Sequence, residues 1–267
     1  MNAKVLGAAT MLPLAIGVAA NVASPTTSSS SGRSSKKASV CHVVTLPSCP
    51  EYGCAGEDTP DGLSNILKRT TPSGSKPRVL TVDDFGTLQE EATKRVGDKK
   101  AALSASQRQR LHGLPMHDGK ISEGDLVAVA GFIVGDPHPN TGESVNCNLH
   151  GASNNDIHIT IASEAGSDEM DGFVVEMIPE NRPDAWTKVA LEDVEHSEQQ
   201  VLVVGQLFYD SKHHVNDDPD NPSGGDPKRM SLFEVHPITK FLVCDRAKKC
   251  DPTNEAGWTK LEDLGQP

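Results

Sequence analysis

The chain has 267 residues, 36% of them hydrophobic and 4% aromatic, enough for one well-packed core with extensions. Its 25 basic and 37 acidic residues leave a formal charge of −12, which argues against a protein that coats nucleic acid through a basic surface. No second long apolar run follows the N-terminal one, so no spanning helix is expected in the mature chain.

Residues 1–23 read as a secretory signal peptide. Lys4 supplies a short positive region, and Val5–Ala20 is an apolar run broken only by Thr10 and Pro13. Val18-Ala19-Ala20 offers the small residues a signal peptidase prefers, and Val22-Ala23-Ser24 is a second cut. An uncleaved anchor is the alternative, but the run is short for it. The expected location is extracellular or periplasmic. Residues 24–40 are a Ser-rich flexible tether. In an exported chain the six cysteines read as disulfides rather than thiols. Local loops suggest Cys49–Cys54 and Cys244–Cys250, leaving Cys41 for Cys147, while Cys147–Cys244 across the core is an alternative. A zinc site built on them is disfavoured by the absence of a CxxC pair.

Residues 41–118 are expected to form a small helical region carrying cysteines. Leu63, Ile66 and Leu67 make one apolar face, and Thr81-Val-Asp-Asp84 has the form of a capping box before Phe85, Leu88, Ala92 and Val96. Ser104 and Gln107 form another box, with Gly113 as a stop. Residues 119–246 read as strands. Asp125–Gly135 is Val-rich with a glycine at its middle, Asp156–Ile161 alternates cleanly, and Phe173–Ile178 ends at Pro179. Asp184–Val194 follows as a helix with Trp186, Val189, Ala190 and Val194 on one side, then come Gln200–Tyr209 and Met230–Val243. This order predicts a mainly β fold: a five-stranded OB-fold-like barrel with one helix between strands 3 and 4. A generic β-sandwich is the alternative. Residues 247–267 are a C-terminal tail.

Charge divides at the same boundary. Residues 1–119 hold 14 basic and 10 acidic side chains, whereas residues 120–246 hold 8 and 23. OB barrels take oligonucleotides or oligosaccharides, and an acidic barrel repels the former unless metal ions intervene. The acidic stretch Asn216–Asp226 suits a solvated loop; as a calcium loop it fails EF-hand spacing, because Pro222 stands at a ligand position.

Polar side chains placed on strands are the candidate chemistry. Asp156 and His158 are two apart and share a face, as do Glu234 and His236. Glu176 sits mid-strand with Arg182 beyond its end, and Asp210 closes the fourth strand before His213 and His214. Imidazole and carboxylate donors suit a divalent metal such as zinc or manganese, and a vacant position on it would activate water. Without metal the same groups suit acid–base chemistry. The bland reading is a solvated strand face, with Glu176 paired to Arg182 or Lys240 at the surface. No GxSxG elbow, HExxH, Walker loop or GxGxxG is present. Two Tyr, two Trp and six Phe supply a base-stacking platform poorly.

Several stretches resemble a group of uncharacterised exported bacterial proteins: Cys49-Pro-Glu-Tyr-Gly-Cys54, Leu63–Lys68, Ser144-Val-Asn-Cys147-Asn, Asp156-Ile-His158-Ile and Val174-Val-Glu176. Gly205-Gln-Leu-Phe-Tyr-Asp210-Ser-Lys-His213 and Phe233-Glu234-Val-His236-Pro237 belong to the same set. Phe233 stands where that group suggests Trp, and 216–226 looks like an insertion. The resemblance implies an OB-like barrel and carries no activity with it. Three functions are open on the sequence. The first is a non-catalytic binding module for a small ligand, glycan or cation, using Asp156, His158, Glu176, Asp210, His213, Glu234 and His236. The second is a metal-dependent hydrolase of phosphodiesters, with Asp156, His158 and His236 as ligands of zinc, manganese or calcium, Glu176 as general base and Arg182 beside it. The third is an acidic docking domain for a basic partner, its own N-terminal segment included.

Overall fold

The computed structural model describes residues 41–74, 76–97, 100–215, 227–245 and 250–264. The expected signal peptide, the tether and the acidic loop 216–226 lie outside these residues. Helix α1 (Pro60–Arg69) starts under a Thr59 cap that accepts from the Gly62 N–H, with Pro60 in the first turn. Strand β1 (Arg78–Leu80) leads into α2 (Val82–Val96), whose Thr81–Asp84 capping box makes both reciprocal bonds. Phe85, Leu88, Ala92 and Val96 form its buried stripe. Short α3 (Ala105–Arg108) begins at the Ser104–Gln107 box, and a hairpin of β2 (Leu114–Met116) and β3 (Gly119–Ile121) follows.

The barrel comprises β4 (Leu126–Pro139), β5 (Ile157–Ala162), β6 (Phe173–Met177), β7 (Gln200–Tyr209) and β8 (Phe233–Cys244). Helix α4 (Lys188–His196) lies between β6 and β7 in the chain. Neighbours run β4-β5-β6-β8-β7, and β4 pairs β7 to close the ring. All contacts are antiparallel except β6–β8, which is parallel at Val175↔Val235. That is a closed five-stranded mixed barrel of OB type. Strand β1 adds in parallel to β4, and β9 (Trp258–Lys260), from the expected tail, pairs β8. Closure needs tight bends at two glycines. A Cβ on Gly131 would stand 2.6 Å from the Ala162 carbonyl oxygen, and Gly205 lies at the register shifts of β7 against β8.

The interior is apolar: Ile157, Ile159, Ile161, Val175, Met177, Val203, Leu207, Val235 and Phe241 all face it. Helix α2 closes one side, with Phe85 stacked on Phe173 at 3.6 Å between ring centres. Two sequence expectations change here. In α4 the buried residues are Leu191 and Val194, and Val189 is exposed. The disulfides are Cys41–Cys54, Cys49–Cys147 and Cys244–Cys250, so only the last pairing matches expectation. The reason is a turn at residues 50–53, with Gly53 in the left-handed region, after which the Cys54 N–H donates to the Ser144 carbonyl at 2.7 Å. This lays the segment along residues 143–147, so Cys49 meets Cys147 and Cys54 turns back to Cys41.

Candidate metal centre

The period-2 pattern of the strands builds the site. With Ile157, Ile159 and Ile161 inward, His158 and Thr160 take the opposite face of β5. Likewise Val175 and Val235 send Glu176, Glu234 and His236 outward on β6 and β8. Register then juxtaposes them: His158 lies opposite Glu176, and Val175 opposite Val235.

This outer face does not meet water, contrary to the expected solvated surface. Asp156, Glu176, Glu234 and His236 are 0% exposed and His158 1%. A roof made of α1 and residues 143–147 covers them. Helix α1 turns its polar residues Ser64, Asn65 and Lys68 down onto the polar sheet face, while Leu63, Ile66 and Leu67, the expected apolar face, are only half-buried. Asn65 donates to the Tyr52 carbonyl at 2.9 Å, and Gln206 of β7 donates to the Leu67 carbonyl at 2.8 Å. Asn146 donates to Asp156 Oδ1 at 3.0 Å, and the Cys49–Cys147 disulfide fastens the two parts of the roof together.

Beneath it the donors converge. His158 Nε2 lies 3.1 Å from Glu176 Oε1, and His236 Nδ1 lies 3.0 Å from Glu176 Oε2. His236 Nε2 is 3.7 Å from Asp156 Oδ2, and its Nδ1 is 3.6 Å from Glu234 Oε2. These approaches are close but misaligned. Asp156 Oδ2, both Glu176 oxygens, Glu234 Oε2 and all four ring nitrogens of His158 and His236 are buried without a hydrogen-bond partner among the described residues. Leaving buried polar groups so costs about 1–3 kcal/mol each. Donor atoms about 2.1 Å from a common cation stand roughly 3.0–3.4 Å apart, the spacing of the two closest pairs. Glu143, His158 and Glu176 form one convergent group, and Asp156, Glu176 and His236 a second, each with donor atoms within 4.8 Å of one another. Asp210, His213 and Glu234 form a third. Cys41, Cys54 and Cys147 are also close together, but all are disulfide-bonded.

Charge balance points the same way. Glu143, Asp156, Glu176, Asp210 and Glu234 face the fixed cations Lys68 and Arg229, so protons or a metal must supply the difference. Burial and the nearby Glu143 and Glu176 carboxylates push Asp156 up to about 7 against the opposing pull of His236 and the Asn146 hydrogen bond. Burial alone would lower His236, but the Glu176 carboxylate outweighs it and lifts the imidazole to about 10. His158 is raised for the same reason, its burial again overcome by Glu176. Glu176 is held well below the carboxylate range: burial opposes this, and His158, His236 and Lys68 prevail. In the cation-free state His236 therefore carries a proton that a metal would displace.

A cleft of about 270 Å³ reaches this face. Lys68, Glu143, Asp210, Lys212 and His213 are on its walls. Glu143 is half-buried and belongs both to the cleft and to the first donor group, so solvent and buried donors meet at this side chain.

The sequence candidates are thus distributed unevenly. Asp156, His158, Glu176, Glu234 and His236 come together. Asp210 is adjacent, tied to Lys68 at 2.8 Å, with His213 Nε2 at 3.6 Å from its carboxylate. Arg182 stands apart: its guanidinium donates to the carbonyls of Ala152, Asn155 and Met177 and fastens that loop to the end of β6. Lys240 pairs with Glu255 at the surface, so neither forms the expected partner of Glu176. Sequence reasoning missed Glu143, Asn146, Lys68 and Arg229. Glu143 and Asn146 flank Ser144-Val145 just before Cys147, so a correct Cys49–Cys147 pairing was the signal that would have brought them in. Lys68 reads on sequence as an ordinary cation in the last turn of a helix. No protein-family model matches the chain, and no curated protein is similar to it.

Proposed function

We propose that the protein is an exported metal-dependent hydrolase whose cation is held on the outer face of the barrel by Asp156, Glu176 and His236, with His158 and Glu143 beside them. One observation carries this reading: buried carboxylate oxygens and imidazole nitrogens crowd within 3.0–3.7 Å of one another without hydrogen bonds between them. The mixed imidazole–carboxylate set favours zinc or manganese over calcium, which prefers oxygen donors throughout. A bound cation of this type acidifies water and polarises an ester. Glu176, lying among the donors, then acts as a ligand, and the general base passes to His213. That ring is on the cleft wall, and its pKa is lowered by burial against the opposing pull of Asp210, so it is neutral at pH 7. Lys68 and Lys212 are on the same wall, paired with Asp210 and Asp61, and Lys212, the more exposed of the two, suits a phosphodiester anion. Export is supported by residues 1–23 and by three disulfides, which persist only in an oxidising compartment.

The complete burial of Asp156 and His236 favours a second reading, a binding module that holds the cation for structure alone. Metal analysis of secreted protein purified without chelator, with a hydrolysis assay on bis-(p-nitrophenyl) phosphate, separates the two. The hydrolase reading expects near-stoichiometric metal, turnover abolished by chelation, and a His213→Ala variant that keeps its metal but loses at least 10²-fold in rate, on the order typical of a general base. Metal without turnover of this or other esters leaves the binding module. Protein that arrives and stays metal-free sinks both.

A further inference from the structure

We infer that the donor set takes two divalent cations, bridged by the carboxylate of Glu176. This rests on the metal reading above and deepens it. The two oxygens of Glu176 serve different neighbours: Oε1 approaches His158 Nε2 at 3.1 Å, and Oε2 approaches His236 Nδ1 at 3.0 Å. The convergent donors accordingly fall into two groups that share only Glu176, one completed by Glu143 and His158, the other by Asp156 and His236. A single ion that drew on both rings would need His158 and His236 in one group with Glu176, and they fall in separate groups. A carboxylate that gives one oxygen to each of two cations holds them about 3.5–4 Å apart, the separation of two-metal hydrolytic sites.

The ring nitrogens supply the independent support. Both nitrogens of His158 and both of His236 are buried and without a hydrogen-bond partner among the described residues. One cation in either group takes a nitrogen of one ring only and leaves the other ring without a partner of this kind. The two positions also differ in access. The Glu143 position opens on the cleft, while the Asp156 position is enclosed beneath Asn146. Glu143, Asp156 and Glu176 carry three negative charges against the four positive charges of two divalent ions, so the centre would be left cationic and attract an anion from the cleft. The substrate class that follows is a phosphoester whose non-bridging oxygens span both ions.

The test uses secreted full-length protein, stripped with chelator, dialysed and titrated with Mn²⁺ alone. Bound metal is measured by elemental analysis, and electron paramagnetic resonance is recorded at saturation. The expected result is two Mn²⁺ per chain with an exchange-coupled spectrum. Glu143→Gln, at a half-buried position where the amide oxygen can still accept from Asn140, should bind one Mn²⁺ and give the spectrum of an isolated ion. Glu176→Gln should lose the coupling. One Mn²⁺ per chain with an isolated-ion spectrum in the unaltered protein overturns the bridged pair and leaves the mononuclear reading standing. No bound Mn²⁺, with zinc equally unbound, overturns both. Because the unaltered protein decides between one and two ions, a variant that fails to fold does not blunt the test.

Discussion

Two sets of charged side chains are buried on the same side of the barrel, and they are held in different ways. In one, Arg108 donates to Glu123, to the Tyr209 carbonyl and to Ser64, while the Tyr209 N–H donates to Glu123. In the other, the side chains of Asp156, His158, Glu176 and His236 stand as close together but make one conventional hydrogen bond among the described residues, from Asn146 to Asp156. Phe208 separates them, with Arg108 over its ring at 5.0 Å and His236 against it at 5.7 Å. Buried charge is therefore not in itself the mark of a site. What distinguishes the second set is that its imidazoles and carboxylates meet at close range without aligned hydrogen bonds, an arrangement that a protein tolerates when a cation lies between them.

The comparison breaks most sharply by mutation. Glu123→Ala leaves the Arg108 charge buried without its carboxylate and should cost about 3–5 kcal/mol in denaturant unfolding, with metal content unchanged. His158→Ala and His236→Ala should change metal binding instead. They should abolish the stabilisation that saturating metal brings to the unaltered protein, about 2.7 kcal/mol at a hundredfold excess over Kd. If metal stabilised His236→Ala as much as it stabilises Glu123→Ala, the two sets would be alike.

A pH series sharpens the comparison at the Lys68–Asp210 pair. Lys68 holds Asp210 below the usual carboxylate range in spite of burial, and Asp210, with Glu176, lifts Lys68 well above the usual amine range. The Asp210 contribution is thus fully present above about pH 4 and is lost as pH falls further. The Lys68 contribution is fully present below about pH 10 and is lost as pH rises through its raised value. In chelator the pair's own contribution, read as the difference in unfolding free energy between the unaltered protein and Asp210→Asn, should be level between those limits and fall away on the acid side. The smallest effect is expected from Lys240→Ala, which breaks a surface pair with Glu255 and should change stability by about 0.5 kcal/mol or less.

The barrel was legible because its strands announce themselves by period. Ile157, Ile159 and Ile161 alternate with polar neighbours, and the same alternation placed Asp156, His158, Glu176, Glu234 and His236 on the outer face before any coordinates. What period cannot tell is whether an outer face meets water. Here part of the cover is α1, more than eighty positions before β5, and it presents Ser64, Asn65 and Lys68 rather than leucines. A helix that buries its polar side reverses the usual reading of amphipathicity. Leu63, Ile66 and Leu67 do share a face of α1, but it is the half-buried one. Two of the three expected disulfides differ for a related reason: the short loop holds for Cys244–Cys250, whereas the Cys54–Ser144 backbone bond makes the 98-residue Cys49–Cys147 link the geometric neighbour.

The most direct measurement is an anomalous difference map, at the zinc and manganese edges, from crystals of secreted protein purified without chelator. The account expects a peak about 2.0–2.3 Å from oxygens of Asp156 and Glu176 and a ring nitrogen of His236. A map with no peak there, in which those side chains bond only to one another and to water, would contradict it.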